Sequence, residues 1–169
     1  MTAFIALLRA VNVGGTGKLP MGELVAMCEG LGHDRVRTWI ASGNVVFTSD
    51  QDAAAVKAGL EARLFAWAGK PVGVMVRTAD EMRAVLQANP FAGQPGNRTV
   101  AIFLDAPPGE PDGIRNRKDE EIHPGAREIY VHYPGGMGQS KLVIPAAKAG
   151  TARNMNTIAK LADMADAIS

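Results

Sequence analysis

Residues Phe4 to Pro20 read FIALLRAVNVGGTGKLP. The run Phe4 to Leu8 is apolar without alternation, so it is expected as a central strand buried on both faces; a strand with one wet face would alternate. Arg9, Asn12, Gly14, Gly15, Gly17 and Lys18 then make a polar, glycine-rich connection, and Pro20 stands before a helix. A rigid strand delivering such a loop is a common way to build a binding site.

Working outward, Met21, Leu24, Val25, Cys28 and Leu31 recur at helical spacing, and Gly32 ends that helix. Val36 to Ile40 and Val45 to Phe47 read as a hairpin turned by Ser42-Gly43-Asn44. Val56, Leu60, Leu64 and Trp67 form the stripe of a second helix closed by Gly69, and Val72, Val74 and Val76 alternate with Gly73, Met75 and Arg77 as in a strand. Strand, helix, strand, strand, helix, strand is the split βαβ order of ferredoxin-like domains. We therefore expect an α+β protein. Residues 1–77 would form an N-terminal ferredoxin-like subdomain and residues 78–169 a C-terminal α+β subdomain, with helices packed on antiparallel sheets.

The second half opens on a capping box, Thr78-Ala79-Asp80-Glu81, before a helix that stops at Asn89-Pro90. Thr99 to Leu104 reads as a strand, Glu121 to His123 and Ile129 to Tyr133 as a hairpin, and Thr151 to Ala167 as a final helix capped by Thr151. The residues of the two halves show no repeat.

Composition bounds the function. Apolar residues are 47% and charged residues 21% of the 169, as in globular domains. Eighteen Lys and Arg against seventeen Asp and Glu give +1, which argues against a duplex nucleic acid partner, since that binding rests on excess positive charge. One cysteine, Cys28, excludes an internal disulfide and a thiolate zinc cluster and fits a reducing compartment. No run reaches a membrane span, so no membrane partner and a cytoplasmic location are expected.

The glycine loop is not a P-loop: Asn12 stands where its first glycine belongs and Leu19 where its hydroxyl belongs. The dinucleotide pattern fails at Pro20. Amides of Gly14, Gly15 and Gly17 could still form an anion-binding concavity; the other reading is a connection that needs positive φ. Arg9 shares a strand face with Ile5 and Leu7, and a buried guanidinium must meet a carboxylate, carbonyls or a ligand. Ser42 and Asn44 are turn residues as well as candidates. In TARNMNT, Thr151 to Thr157, a helix start would place Arg153, Asn156 and Thr157 on one face, with Asn154 beside them, suited to a phosphate or carboxylate or simply solvated. Lys141 is a further cation upstream. Trp39 and Trp67 are expected in the core, and Asp119, Glu120 and Glu121 in a charged loop. No metal-ligand spacing is present and no cofactor is expected.

The blocks ALLRAVNVGG (Ala6 to Gly15) with KLPM (Lys18 to Met21), VRTWIASGNVVF (Val36 to Phe47), SKL (Ser140 to Leu142) and TARNMNT resemble the bacterial family filed as domain of unknown function 1697. The resemblance spans nearly the whole chain and implies two ferredoxin-like subdomains. Met155 departs from it, standing where tryptophan is usual. The family implies no activity. Three readings stay open. One is a module in which Arg9, Asn12, Gly14, Gly15, Ser42, Asn44, Lys141, Arg153, Asn154 and Asn156 bind one anionic ligand, a nucleotide or a short single-stranded nucleic acid. The second is an enzyme acting on a phosphorylated or carboxylated small molecule. The third is a protein-interaction domain whose motifs are structural.

Overall fold

The computed structural model describes residues 1–10 and 18–169. It divides into two compact units, Met1–Arg83 with Lys160–Ser169, and Ala84–Ala159. As expected, the class is α+β, with two four-stranded antiparallel sheets.

In the first unit, strand β1 (Thr2–Leu8) leads to helix α1 (Met21–Gly30), then β2 (Asp34–Thr38), β3 (Asn44–Ser49), α2 (Ala53–Ala68) and β4 (Val74–Thr78). The sheet order is β2-β3-β1-β4, the ferredoxin-like order, with β1 in the middle. Phe4, Ala6 and Leu8 point to the face covered by α1 and α2, where Leu24, Cys28, Val56, Leu60 and Leu64 complete a core. Ile5 and Leu7, on the other face, are equally buried. That double burial is why the strand carries no alternation, and each such side chain stabilises by ~1.5–3 kcal/mol.

Local chemistry fixes the elements. Asp52 caps α2 by accepting from the Ala55 N–H at 2.8 Å, and Gly69 closes it at φ 72°. Lys57 donates to the Glu61 carboxylate at 3.0 Å and the Val74 carbonyl at 2.6 Å, while Glu61 accepts from the Val74 N–H at 3.1 Å; this clasp ties α2 to β4. The capping box forms as the sequence predicts: the Thr78 hydroxyl accepts from the Glu81 N–H at 3.1 Å, and the Glu81 carboxylate from the Thr78 N–H at 2.9 Å. It starts α3 (Ala79–Gln87).

Residues 160–169 complete the first unit. Arg35 donates to the Ile168 carbonyl at 3.1 Å, Lys160 lies 4.8 Å over the Trp39 ring, and Arg83 pairs with Asp163 and Asp166. Trp39 and Trp67 are 36% and 38% exposed, which corrects their expected place in the core.

The second unit contains β5 (Thr99–Phe103), β6 (Glu121–Pro124), β7 (Glu128–His132) and β8 (Thr151–Asn154), in the order β6-β7-β5-β8. Taken in chain order, its strands therefore occupy the same sheet positions as those of the first. Its connections differ: a long loop joins β5 to β6, and only a short 3-10 turn, Pro145–Ala147, lies between β7 and β8. One sheet face carries Val100, Ile129 and Val131 with Leu104 and Ile144; on the other, the Tyr130 hydroxyl donates to the Val85 carbonyl of α3 at 2.8 Å. Gly150 is required at the entry to β8, since a Cβ there would stand 2.7 Å from the Phe103 carbonyl oxygen.

The segment expected as one helix from Thr151 is split. Thr151–Asn154 pairs with β5, and α4 is Met155–Ile168. Asn154, not Thr151, is the cap: its side-chain oxygen accepts from the Thr157 N–H at 2.9 Å. Two Asn residues and a Thr read equally well as a helix start, but the edge of β5 offers β8 a ladder, and tertiary pairing overrides that local preference.

Candidate functional site

The predicted residues fall in both units. Asn12, Gly14 and Gly15 lie outside the described residues.

In the first unit, Arg9 follows β1 directly. Its backbone N–H donates to the Gly73 carbonyl at 2.8 Å, and its aliphatic stem runs past Gly73, where an added Cβ would be 3.6 Å from the Arg9 Cβ. The side chain is exposed, which corrects the expectation of a buried guanidinium on the Ile5 and Leu7 face; the strand ends one residue too early to bury it. Asn44, at the start of β3, is fully buried. Its amide donates to the Trp39 carbonyl at 3.1 Å and to the Ser42 hydroxyl at 3.0 Å, so Ser42 and Asn44 clamp the hairpin turn. Gly43 takes φ 81° there, and its carbonyl accepts from the Leu8 N–H at 2.9 Å. Two neighbouring positions are strained: Ala10 at φ 57° and the β-branched Ile40 at φ 51°, each in a region that costs ~1–3 kcal/mol.

In the second unit, Arg153 stands opposite Ala101 in the ladder of β8 on β5, so it shares the sheet face of Ala101 and Tyr130. It donates to the Thr151 hydroxyl at 2.6 Å and the Ala152 carbonyl at 2.9 Å. Burial lowers its guanidinium to about 10. Since β8 is a strand, Arg153 does not share a helix face with Asn156 and Thr157. Asn154 is spent on the cap of α4; Asn156 is exposed, with its amide against Gly96. Lys141 is exposed beside Ser140.

Several polar residues escaped the sequence reading. Glu120, expected in a solvated charged loop, is buried: its carboxylate accepts from the Ser140 hydroxyl at 2.5 Å and the Lys118 N–H at 2.6 Å. Those two bonds, with Arg117 nearby, hold it below the ordinary carboxylate range. Arg77, read only as one of the residues alternating with Val72, Val74 and Val76, is 1% exposed and donates to the Val76 carbonyl at 3.0 Å. The available signal was an arginine inside an otherwise apolar strand. His33 stacks on Phe47 at 4.3 Å, and neither of its ring nitrogens has a partner among the described residues. The Cys28 thiol is pushed up to about 12 by burial and by Glu29, so it is a packing residue and no nucleophile. Among the described residues no three His, Cys, Asp or Glu are grouped to hold a metal, and no helix is long and apolar enough to cross a membrane.

Compared with known proteins, the chain matches no curated protein. Among solved structures it is similar to that of the conserved bacterial protein SP0830 from Streptococcus pneumoniae, at 23% identity and a TM-score of 0.71, over 97% of this chain and 98% of the other. That likeness bears on the fold. A family model described as protein of unknown function (DUF1697) matches residues 1–130, over which lie the expected first-strand, glycine-loop and Ser-Gly-Asn-Val blocks. By that match, together with the fold just described, the chain belongs to the DUF1697 family.

Proposed function

We propose that this protein is a binding module for an anionic small ligand, a nucleotide or a short single-stranded nucleic acid. The observation that carries the reading is Arg153, a half-buried cation that burial has already moved down to about 10. A charge removed from water interacts more strongly with an incoming anion than one that is fully hydrated, and its planar fork suits a phosphate or carboxylate. To the same ligand the reading assigns Lys141, which is exposed, with Asn154 and Asn156. In the first unit the reading assigns the same role to Arg9 with Asn12, Gly14 and Gly15, and to the turn of Ser42 and Asn44. Its support there is the strain at Ala10 and Ile40, because strained backbone clusters at ligand-binding sites.

The test is a thermal-shift series. Arg153→Ala gives up the bonds to the Thr151 hydroxyl and the Ala152 carbonyl but also the desolvation of the cation, and Lys141→Ala removes an exposed charge. Each variant is expected to keep its Tm within a few degrees of the parent, the shift for under ~1 kcal/mol in a chain of this length. Phosphate or nucleotides should raise the parent's Tm by mass action, and raise it less in the variants and at high salt. Large destabilisation by both substitutions, with no anion raising the parent's midpoint, would overturn the reading. Turnover of a ligand identified by mass spectrometry of the purified protein would move it to an enzyme.

A further inference from the structure

We propose that the second unit carries a separate cleft for a small amphipathic anion, an apolar chain ending in a carboxylate. The cleft lies on the sheet face opposite Arg153: its floor includes Ile102, and side chains of adjacent strand residues alternate between faces. Its volume is about 620 Å³, within the range of small-molecule sites.

The lining divides by chemistry. Ile102, Leu142 and Ile144 give an apolar floor continuous with the core of the unit. Arg115 and Lys148 stand in the same lining, both exposed, and the guanidinium of Arg115 has no hydrogen-bond or ion-pair partner among the described residues. Tyr133, half-buried in the same lining, keeps its hydroxyl protonated, since burial and then Glu120 raise its pKa. An apolar floor under two cations and a neutral donor matches a ligand whose body leaves water while its head stays charged. A fully charged polyanion would leave the floor unused, and a neutral lipid would leave the cations unused.

The cleft is built rather than incidental. The Arg115 N–H donates to the Val143 carbonyl at 3.0 Å, and the Val143 N–H returns a bond to the Arg115 carbonyl at 2.9 Å. This pins the long loop after β5 against the segment before β8. The 3-10 turn closes on itself from Ala147 N–H to the Ile144 carbonyl at 2.9 Å, and the Ser140 hydroxyl is anchored on Glu120. A preformed wall spares a ligand the cost of ordering it.

The experiment is an amide-shift titration of the full chain with sodium octanoate, hexanoate, 1-octanol and inorganic phosphate. Octanoate is expected to give saturable shifts around residues 102, 115, 133 and 142–148. Hexanoate should bind about tenfold more weakly, from two methylenes left out of the apolar floor. Octanol and phosphate should each bind at least about tenfold more weakly than octanoate, lacking the head or the body. Arg115→Ala keeps the backbone bridge to Val143 and should weaken octanoate about tenfold without changing octanol; Arg115→Gln provides a second variant of similar bulk. Arg153→Ala should leave the octanoate titration unchanged, which separates this cleft from the anion site proposed above. Equal binding of octanol and octanoate, saturable shifts confined to other residues, or no saturable shift at all would each overturn the proposal.

Discussion

Replacing His33 by phenylalanine should stabilise the first unit and remove part of its acid sensitivity. His33 is 3% exposed, packs its ring on Phe47 at 4.3 Å and 10°, and satisfies neither ring nitrogen. Each buried polar atom without a partner costs about 1–3 kcal/mol, and phenylalanine keeps the stack while removing both. Its ring is one atom larger, and over-packing returns about 1 kcal/mol or more of that gain. A net gain of about 1–2 kcal/mol near pH 7.5 is expected. Burial lowers the His33 pKa below 6.5, with Asp34 opposing. Between the lowered folded value and the unfolded value, the unfolded chain binds more protons. Stability from this residue is therefore complete above about pH 6.5 and declines as pH falls below it, by at most about 1.4 kcal/mol per pH unit. The gap between variant and parent should widen by up to about 2 kcal/mol from pH 6.5 to pH 5.0. Both tryptophans, Trp39 and Trp67, belong to the first unit, so urea unfolding followed by tryptophan fluorescence reports it directly. A gap that stays constant, or closes on acidification, would show that His33 is hydrated or bonded and would refute the reasoning.

Two further substitutions test how the elements are held. Asn44→Ala removes the amide that bonds the Trp39 carbonyl and the Ser42 hydroxyl, and should cost about 2–3 kcal/mol in the same fluorescence assay; a loss under about 1 kcal/mol would mean the turn holds without its clamp. Tyr130→Phe strands the Val85 carbonyl and should cost about 1–3 kcal/mol, read as faster hydrogen exchange in α3 together with a lower Tm; a neutral result would mean that carbonyl finds another donor.

The first unit was legible in the residues because each device there is local or periodic. The apolar run of β1 announced its double burial, and the capping box at Thr78 and Glu81 formed as spaced. The hairpin turned at Ser42-Gly43-Asn44, as the turn residues indicated. The second unit was harder, because its sheet has the strand order of the first although no repeat in the residues betrays it. Where the first unit uses helices α1 and α2 as connections, the second uses irregular segments held by Glu120, Ser140 and the bridge of Arg115 to Val143. Such long-range polar contacts leave no period to read. The same limit applies to the site. Arg153 was picked out by its residue type, but its strand conformation depends on β5, fifty residues earlier in the fold's pairing. Arg115, Tyr133 and Lys148 form one lining only after the loops close, so nothing in their spacing marks them.

The assignment of residues 160–169 to the first unit has a kinetic consequence. A ribosome delivers residues 1–83 early and then the whole second unit, and only afterwards the segment in which Leu161, Ala162, Ala165 and Ile168 are buried. Once residue 154 has been made the second unit has all its strands, whereas the first still lacks side chains that its finished form encloses. With synthesis at roughly 5–20 residues per second, the wait from residue 83 to residue 169 lasts several seconds, long compared with helix and hairpin formation. The first unit thus stays incomplete until the second has been made, and it is the part that a chaperone would meet unfinished.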